Sequence, residues 1–261
     1  MSKLTTPALP PTTSHIRVET TDKSLVIPTW GYFTAAILLI VHAPLLVKLG
    51  ERLWAMEHYQ FFPIIPLGAA WLAYSRFKGI ESLSQGKLIW RIPLWGMAIT
   101  LYFFAARLNS PWLAAFSFQL SLWALISSLG GKQLCVAMLP AWFFLWLAVP
   151  LPLGIDVQLI QTMQQVATVW ASGFLDVCGY RHLVAGVTVI FPERSFLVEE
   201  ACSGIHSLFA VVACSLFYLL QSKRGIIRSI FIMISAIFWV VVANAFRVFL
   251  VTVLSIQWNL P

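Results

Sequence analysis

The sequence predicts an all-α polytopic membrane protein with about seven transmembrane helices, plus an amphipathic helix and a short β-hairpin in an extracytoplasmic segment. The first reason is composition: 59% of the 261 residues are hydrophobic and 10% are charged, whereas a soluble domain carries about 25% charged residues. The second is a series of apolar stretches of spanning length, and the third is an uneven distribution of Lys and Arg. So few charges exclude an ordinary soluble enzyme, a disordered chain and a soluble nucleic-acid-binding protein.

The predicted spans are apolar runs that approach the roughly 20 residues needed to cross a bilayer core. They lie at 30–47, 59–75, 92–106, 112–129, 134–149, 205–220 and 230–255. With their short connections they make 30–261 a single transmembrane domain. Residues 1–29 are polar and rich in Pro and Thr at their start, and we expect them to form a disordered cytoplasmic tail.

The segment 150–200, between the fifth and sixth predicted spans, differs in composition from the rest of the chain. It opens on the helix-stopping sequence PLPLG and continues with 155–178, where Asp and Gln recur among apolar residues. This pattern is typical of an amphipathic helix, which either lies in the membrane interface or packs against the bundle. The sequences HLVAGVTVIF, PERS and FLVE then predict a short β-hairpin, because β-branched residues flank a turn.

The basic residues predict the orientation, because cytoplasmic loops carry an excess of Lys and Arg. With a cytoplasmic N-terminus and seven spans, 11 of the 17 Lys and Arg residues fall inside, 5 fall outside and Arg247 lies within the last span. A crossing by 155–178 would move the basic sequence SKRGIIR outside and weaken this bias. We therefore expect that helix not to cross the membrane and the segment 150–200 to face outward.

Arg247 is the most informative single residue, because it interrupts the long apolar run of the seventh predicted span. A guanidinium in such a place costs about 2.5–3.5 kcal/mol and usually faces a bundle interior or a polar cavity. Asn244, three residues earlier, lies on the same helical face. The alternative for Arg247 is a side chain that extends to the outer membrane interface.

Cys202 and Arg247 are expected at nearly the same depth. There are 20 residues from Cys202 to Ser222 and 19 from Arg228 to Arg247, and each interval corresponds to about 30 Å of helix. An Arg beside a thiol favours the thiolate, and it can stabilise the oxyanion that forms when a thiolate attacks a carbonyl. The alternative for Cys202 is a small buried residue at a helix start.

The surrounding sequence VEEACSGIHSLF offers further groups for acyl transfer. Ser203 and Gly204 permit close approach of a chain and supply backbone N–H groups for an oxyanion hole. The base that a Cys nucleophile needs has three candidates, His206 on the same helical face, His182 and His58.

Two acidic residues and the absence of metal motifs complete the sequence prediction. Glu200, with Glu199, is either a solvated hairpin charge or a partner for the guanidinium or the substrate. The sequence contains no CxxC pair, no His/Cys metal-ligand spacing and no nucleotide-binding motif, so we expect neither a metal nor an organic cofactor.

These sequences resemble the exosortase/archaeosortase family of integral-membrane cysteine proteases and transpeptidases. The specific parts are LVEEACSGIHSL around Cys202 and ANAFRV around Arg247, with SKRGIIR between them. The predicted hairpin, the sequence VPLPLG and the early segment MEHYQFFPIIPLGAAWLAYSRFK also fit. The resemblance extends over about 54–256.

The resemblance implies that Cys202 is the nucleophile, that Arg247 stabilises the developing charge and that Asn244 positions it. The substrates would be exported proteins with a PEP-CTERM-like C-terminal sorting signal, made of a short motif, one membrane helix and basic residues. Cleavage or transfer would occur at the outer face of the cytoplasmic membrane of a bacterium or archaeon. The expected partners are these exported proteins and the lipid bilayer, with no nucleic acid.

The family pattern and this sequence differ at two positions. The family usually has a basic residue where His206 stands, and its third catalytic residue, commonly His, lies after the Arg motif, whereas no His follows Arg247 here. Three interpretations stay open: a C-terminally truncated enzyme, a divergent enzyme that uses another residue such as His206, and an inactive homologue that binds sorting signals. The competing function is a non-catalytic polytopic protein, a transporter or assembly factor, in which Arg247 binds an anion.

Overall fold

The computed structural model describes residues 27–80, 88–199, 202–222 and 224–258. Within them the chain forms seven α-helices and three short β-strands. The helices are α1 (Thr29–Ala55), α2 (Ile64–Phe77), α3 (Leu88–Arg107), α4 (Pro111–Leu145), α5 (Ile155–Val177), α6 (Ile205–Ser222) and α7 (Ile226–Gln257). The strands are β1 (Leu183–Ala185), β2 (Thr188–Ile190) and β3 (Ser195–Leu197). The predicted tail lies outside the described residues except for 27–29, where α1 begins.

Helix α4 is a helical hairpin whose two arms correspond to the fourth and fifth predicted spans. At Gly131 the backbone adopts φ 53° and ψ −146°, which glycine tolerates because it has no Cβ. The chain reverses there, since the rings of Trp123 and Trp142 lie 4.7 Å apart and those of Phe116 and Trp146 lie 4.8 Å apart. The break between the two predicted spans is therefore a tight turn between antiparallel arms.

The N-terminal half of the fold is organised around α4. Its first arm contacts α1 and α3, and its second arm packs against α2. A buried polar link joins the first group: Ser117 Oγ donates to Ala98 O (3.0 Å) and lies 3.1 Å from His42 Nε2. Such links matter within a bilayer, because an unpaired polar group there costs several kcal/mol.

Helix α5 packs its apolar face against α6 and α7. Its buried residues follow the helical repeat and include Ile160, Met163, Ala167, Ala171 and Leu175. Met163 contacts Val240 of α7, and Ala171 contacts Val248 further along the same helix, so α5 runs parallel to α7. Of the two placements that the sequence leaves open for the amphipathic helix, the structure shows packing against the bundle.

Four segments of the described residues are long and apolar enough to span a bilayer, namely Thr29–Ala55, Pro111–Ala148, Ile205–Ser222 and Ile226–Gln257. The second of them contains both arms of α4. Helix α2 has 14 residues, about 21 Å of helix, which is shorter than the roughly 30 Å hydrocarbon core. The chain is thus a predominantly helical, multi-pass membrane protein, and the count of seven spans stays a prediction.

The predicted β-hairpin is part of a three-stranded antiparallel sheet with the order β1-β2-β3. Val189 in the central strand pairs with Val184 on one side and Phe196 on the other. The extra strand arises because the sequence holds two turns, one at Gly186 with φ 64° and one at 191–194. Val189 also packs against Leu175 of α5, so the sheet covers the C-terminal end of that helix.

Candidate active site

Residues 202–204 form a short turn, called the Cys202 turn below, directly before the N-terminus of α6. The Cys202 N–H donates to Glu199 O (2.9 Å). Ser203 is fully buried, and its Oγ accepts a hydrogen bond from Ile205 N–H (3.2 Å). The Ser203 side chain therefore stabilises the start of α6 instead of facing a substrate.

Asn244 of α7 holds the Cys202 turn in place. Its Nδ2 donates to Cys202 O (3.0 Å), and the residue is only 6% exposed. Gly204 has φ +78°, and a Cβ built there would lie 2.5 Å from Asn244 Cγ. A glycine is therefore required at this position for both conformation and space. The resemblance implied that Asn244 positions Arg247, whereas its hydrogen-bond partner in the structure is the carbonyl of Cys202.

The Cys202 side chain is half-buried among small residues. It contacts a cluster that includes Ala167 and Ala171 of α5 and Val248 of α7. It also lies at the N-terminus of α6, where the first backbone N–H groups have no partner within the helix and the helix dipole favours negative charge. The dipole at this helix end favours negative charge that develops beside the turn during acyl transfer.

Arg247 lies one helical turn after Asn244 and lines an open groove of about 480 Å³ between α6 and α7. We call this the α6–α7 groove; its lining includes Ser207, Ala236, Trp239, Ala243, Asn244 and Arg247. Asn244 is hydrogen-bonded to Cys202 O, and Cys202 packs against a cluster that includes Val248, so Arg247 lies at the level of the Cys202 turn, as the residue count predicts. Arg247 is exposed, and within the described part of the chain its guanidinium makes no ion pair or hydrogen bond.

All three candidate bases lie within 4 Å of an acidic side chain, and for His182 the distance from Nδ1 to Asp176 Oδ1 is 3.9 Å. His206 Nε2 lies 3.8 Å from Glu57 Oε2, and both side chains are exposed. His58 Nε2 lies 3.5 Å from Asp156 Oδ2, and both side chains are largely buried. The pairing of His58 with Asp156 was not predicted from the sequence. The feature that could have pointed to it is an Asp in the first turn of α5, the helix that begins directly after PLPLG.

The third candidate, His182, has both ring nitrogens engaged. Its Nδ1 lies 2.9 Å from Tyr180 O, so Nδ1 carries the proton, because a carbonyl only accepts hydrogen bonds. Its Nε2 then accepts from Ser172 Oγ (2.6 Å). No histidine is hydrogen-bonded to Cys202 Sγ in the ranges that the structure describes. The prediction for Glu200 falls on a residue outside those ranges.

A family comparison identifies the kind of membrane protein in which the Cys202 turn, Asn244 and Arg247 occur together. Residues 53–261 match the family model described as transmembrane exosortase. This chain belongs to that family. The match includes the Cys202 turn and the α7 segment with Asn244 and Arg247, and it confirms the resemblance seen in the sequence. Neither the curated proteins nor the solved structures give a match. For this exosortase-family protein, membership suggests a role in processing sorting signals on exported proteins.

Proposed function

We propose that this exosortase-family protein is a cysteine transpeptidase or protease that processes the C-terminal sorting signals of exported proteins. The hydrogen bond from Asn244 Nδ2 to Cys202 O carries the proposal, because it joins the nucleophile's turn to the α7 segment with Arg247. Acyl transfer needs a nucleophile beside groups that stabilise developing negative charge. A cysteine, a helix N-terminus and a guanidinium are the groups available at this level of the fold.

In the proposed reaction the Cys202 thiolate attacks the carbonyl carbon of the scissile peptide bond. The π electrons move to the carbonyl oxygen, and Arg247 with the N–H groups at the start of α6 stabilises the resulting oxyanion. Collapse of this intermediate breaks the C–N bond, the leaving amine takes a proton, and the exported protein stays on Cys202 as a thioester. Attack by water gives hydrolysis, attack by an acceptor amine gives transfer, and both restore the thiol.

We assign the proton transfers to His206. It lies four residues after Cys202, in the first turn of α6, and its Nε2 lies 3.8 Å from Glu57 Oε2, so this carboxylate can orient the imidazole for proton transfer. The other two histidines are held by other partners, His182 by Ser172 and His58 by Asp156. Replacing His206 by Gln should therefore lower the cleavage rate by about 10²–10⁴ fold, whereas replacing His182 by Gln should leave the chemistry intact.

The proposed site faces outward in the cytoplasmic membrane, and the N-terminus is cytoplasmic. At the end of α6 remote from Cys202, the Arg76 guanidinium at the end of α2 donates to Leu220 O. Arg224 and Arg228 lie just beyond this end of α6. Basic residues gathered on one side of a bilayer mark the cytoplasmic side. The Cys202 turn lies at the other end of α6, about 27 Å away along its 18 residues, and so on the outer side.

The test is co-expression with an exported reporter protein that ends in a short motif, one membrane helix and basic residues. The decrease in the reporter's mass measures cleavage near its C-terminus. Cys202→Ala should abolish cleavage and leave the protein inserted in the membrane. Cys178→Ala is the matched control, because Cys178 is an exposed free cysteine at the end of α5, and it should cleave at the wild-type rate.

Two outcomes would replace the proposal. If Cys202→Ala cleaves the reporter as fast as the wild type, Cys202 is not the nucleophile. If cells need Arg247 but tolerate Cys202→Ala, the protein is a non-catalytic membrane protein, a transporter or assembly factor, that binds an anionic group through Arg247.

A further inference from the structure

The α6–α7 groove follows α7 for about 16 Å, the helical rise between Ala236 and Arg247. Its α7 positions recur every three or four residues, so they form one continuous stripe on the helix. The stripe begins ten residues, about 15 Å, after the start of α7 at Ile226 and ends next to Asn244, which is hydrogen-bonded to the Cys202 turn. The groove therefore runs along a helix that is long and apolar enough to span a membrane, and it ends beside the turn of the proposed nucleophile.

Small side chains make the groove suited to another helix. Ala236 and Ala243, two helical turns apart on α7, line it together with Ser207 of α6, and Val211 and Val240 complete its apolar lining. Within a bilayer, helices associate where small residues allow their backbones to approach closely. Trp239 lies between the two alanines along α7 and is 65% exposed, so it forms a wall against which an apolar helix can pack.

The two ends of the groove differ in polarity. Asn244 and Arg247 line its upper end, and the remainder is apolar apart from Ser207. The guanidinium of Arg247 lies beside an apolar surface in this groove, so it favours a guest with an acidic or strongly polar end. The complementary guest is an apolar helix whose polar extension emerges next to Cys202.

We infer that the α6–α7 groove binds the membrane helix of the substrate's sorting signal. The inference rests on the proposed function and adds where the substrate lies: its helix packs on Ala236 and Ala243, and the peptide just above that helix passes Arg247 to reach Cys202. A lipid acyl chain is the other apolar occupant available in a bilayer, and the experiment separates the two.

The experiment places the photo-crosslinker p-benzoylphenylalanine at Trp239 or, as the matched control, at Phe238. Both are exposed aromatic residues of α7, but Phe238 lies outside the groove, 6.3 Å from Trp170 of α5. Each substitution is made in the full-length protein with Cys202→Ala, so that the substrate stays uncleaved, and the same tripartite reporter is co-expressed. The parent proteins with Cys202 intact are assayed for reporter cleavage in parallel.

We expect several-fold more crosslinked reporter from position 239 than from position 238, with the crosslink mapped to the reporter's membrane helix. Suppose that the proteins with Cys202 intact cleave the reporter. If position 239 then crosslinks only lipid, or crosslinks no more reporter than position 238 does, the groove does not hold the substrate helix and the proposed function stands. If position 239 captures the reporter helix but no parent cleaves it, the docking site stands and the proposed peptidase activity fails.

Discussion

Asn244 donates a 3.0 Å hydrogen bond from Nδ2 to the carbonyl oxygen of Cys202, a residue 42 positions earlier in the chain. The same side chain fills the space that any Cβ on Gly204 would need. The backbone of the proposed nucleophile is thus fixed to α7 rather than to its own helix alone. This amide and the packing of Cys202 against the cluster that includes Val248 set its position relative to Arg247.

Replacing Asn244 should displace the Cys202 turn. Asn244→Ala leaves the Cys202 carbonyl without its partner, which costs about 1–3 kcal/mol for a buried group. Asn244→Asp keeps the size but sets a carboxylate against a carbonyl oxygen, so it should be at least as harmful. Cleavage assays and thermal unfolding in detergent measure the two effects. Exposed Gln158 of α5 provides the control, and Gln158→Ala should resemble the wild type.

Gly204→Ala should be among the most damaging single changes in the site. Its φ of +78° costs a non-glycine residue about 1–2 kcal/mol, and the new Cβ would overlap Asn244. Gly173→Ala is the matched control, because this helical glycine of α5 has open space around it and alanine favours helix. The free energy of unfolding should fall for the first variant and stay level or rise for the second. Equal effects would argue against the contact between Gly204 and Asn244.

Much of this fold could be predicted from the sequence, because apolar length and glycine placement act locally. The stretches 112–129 and 134–149 are separate helices because Gly131 reverses the chain between them. The level of Cys202 and Arg247 follows from the constant rise of a helix. What could not be predicted is the rotation of α7 about its axis. That rotation decides that Asn244 faces Cys202 O while Arg247 lines the groove, and it depends on packing between three helices.

The sheet and α5 show the same limit. Short strands are marked by β-branched residues and turns, so a hairpin was predictable, but which turns close into a third strand depends on packing over α5 and α7. The polar face of α5 predicts an amphipathic helix. Its choice between membrane surface and bundle depends on Val240 and Val248, which lie far along the chain.

Arg247 should matter for chemistry more than for stability. It is exposed and makes no ion pair with another of the described residues, so we expect Arg247→Ala to unfold at nearly the wild-type temperature. Loss of one oxyanion donor typically lowers kcat by about 10²–10³ fold. Arg247→Lys keeps the charge but not the planar donor geometry, and it should recover only part of the rate. A large loss of stability in Arg247→Ala would instead indicate a structural role.

The polar link in the N-terminal half should affect stability alone. His42 is 3% exposed, and its Nε2 lies 3.1 Å from Ser117 Oγ, which also bonds to α3. Ser117→Ala removes the hydrogen bond to Ala98 O and leaves His42 Nε2 without its partner, while His42 Nδ1 keeps Leu38 O, and this should cost about 1–3 kcal/mol. Thermal unfolding measures this loss, and the cleavage rate of the folded fraction should not change. A changed rate per folded molecule would show that this link is coupled to the Cys202 turn.

The most direct measurement of the central claim is the mass of the protein trapped during turnover. Purified protein in membranes is mixed with the tripartite reporter, quenched in acid and digested. We expect the peptide containing Cys202 to carry the new C-terminus of the reporter as a thioester. The adduct should be released by hydroxylamine and absent from Cys202→Ala. A reporter cleaved with no adduct on Cys202, or with an adduct on another residue, would contradict the account.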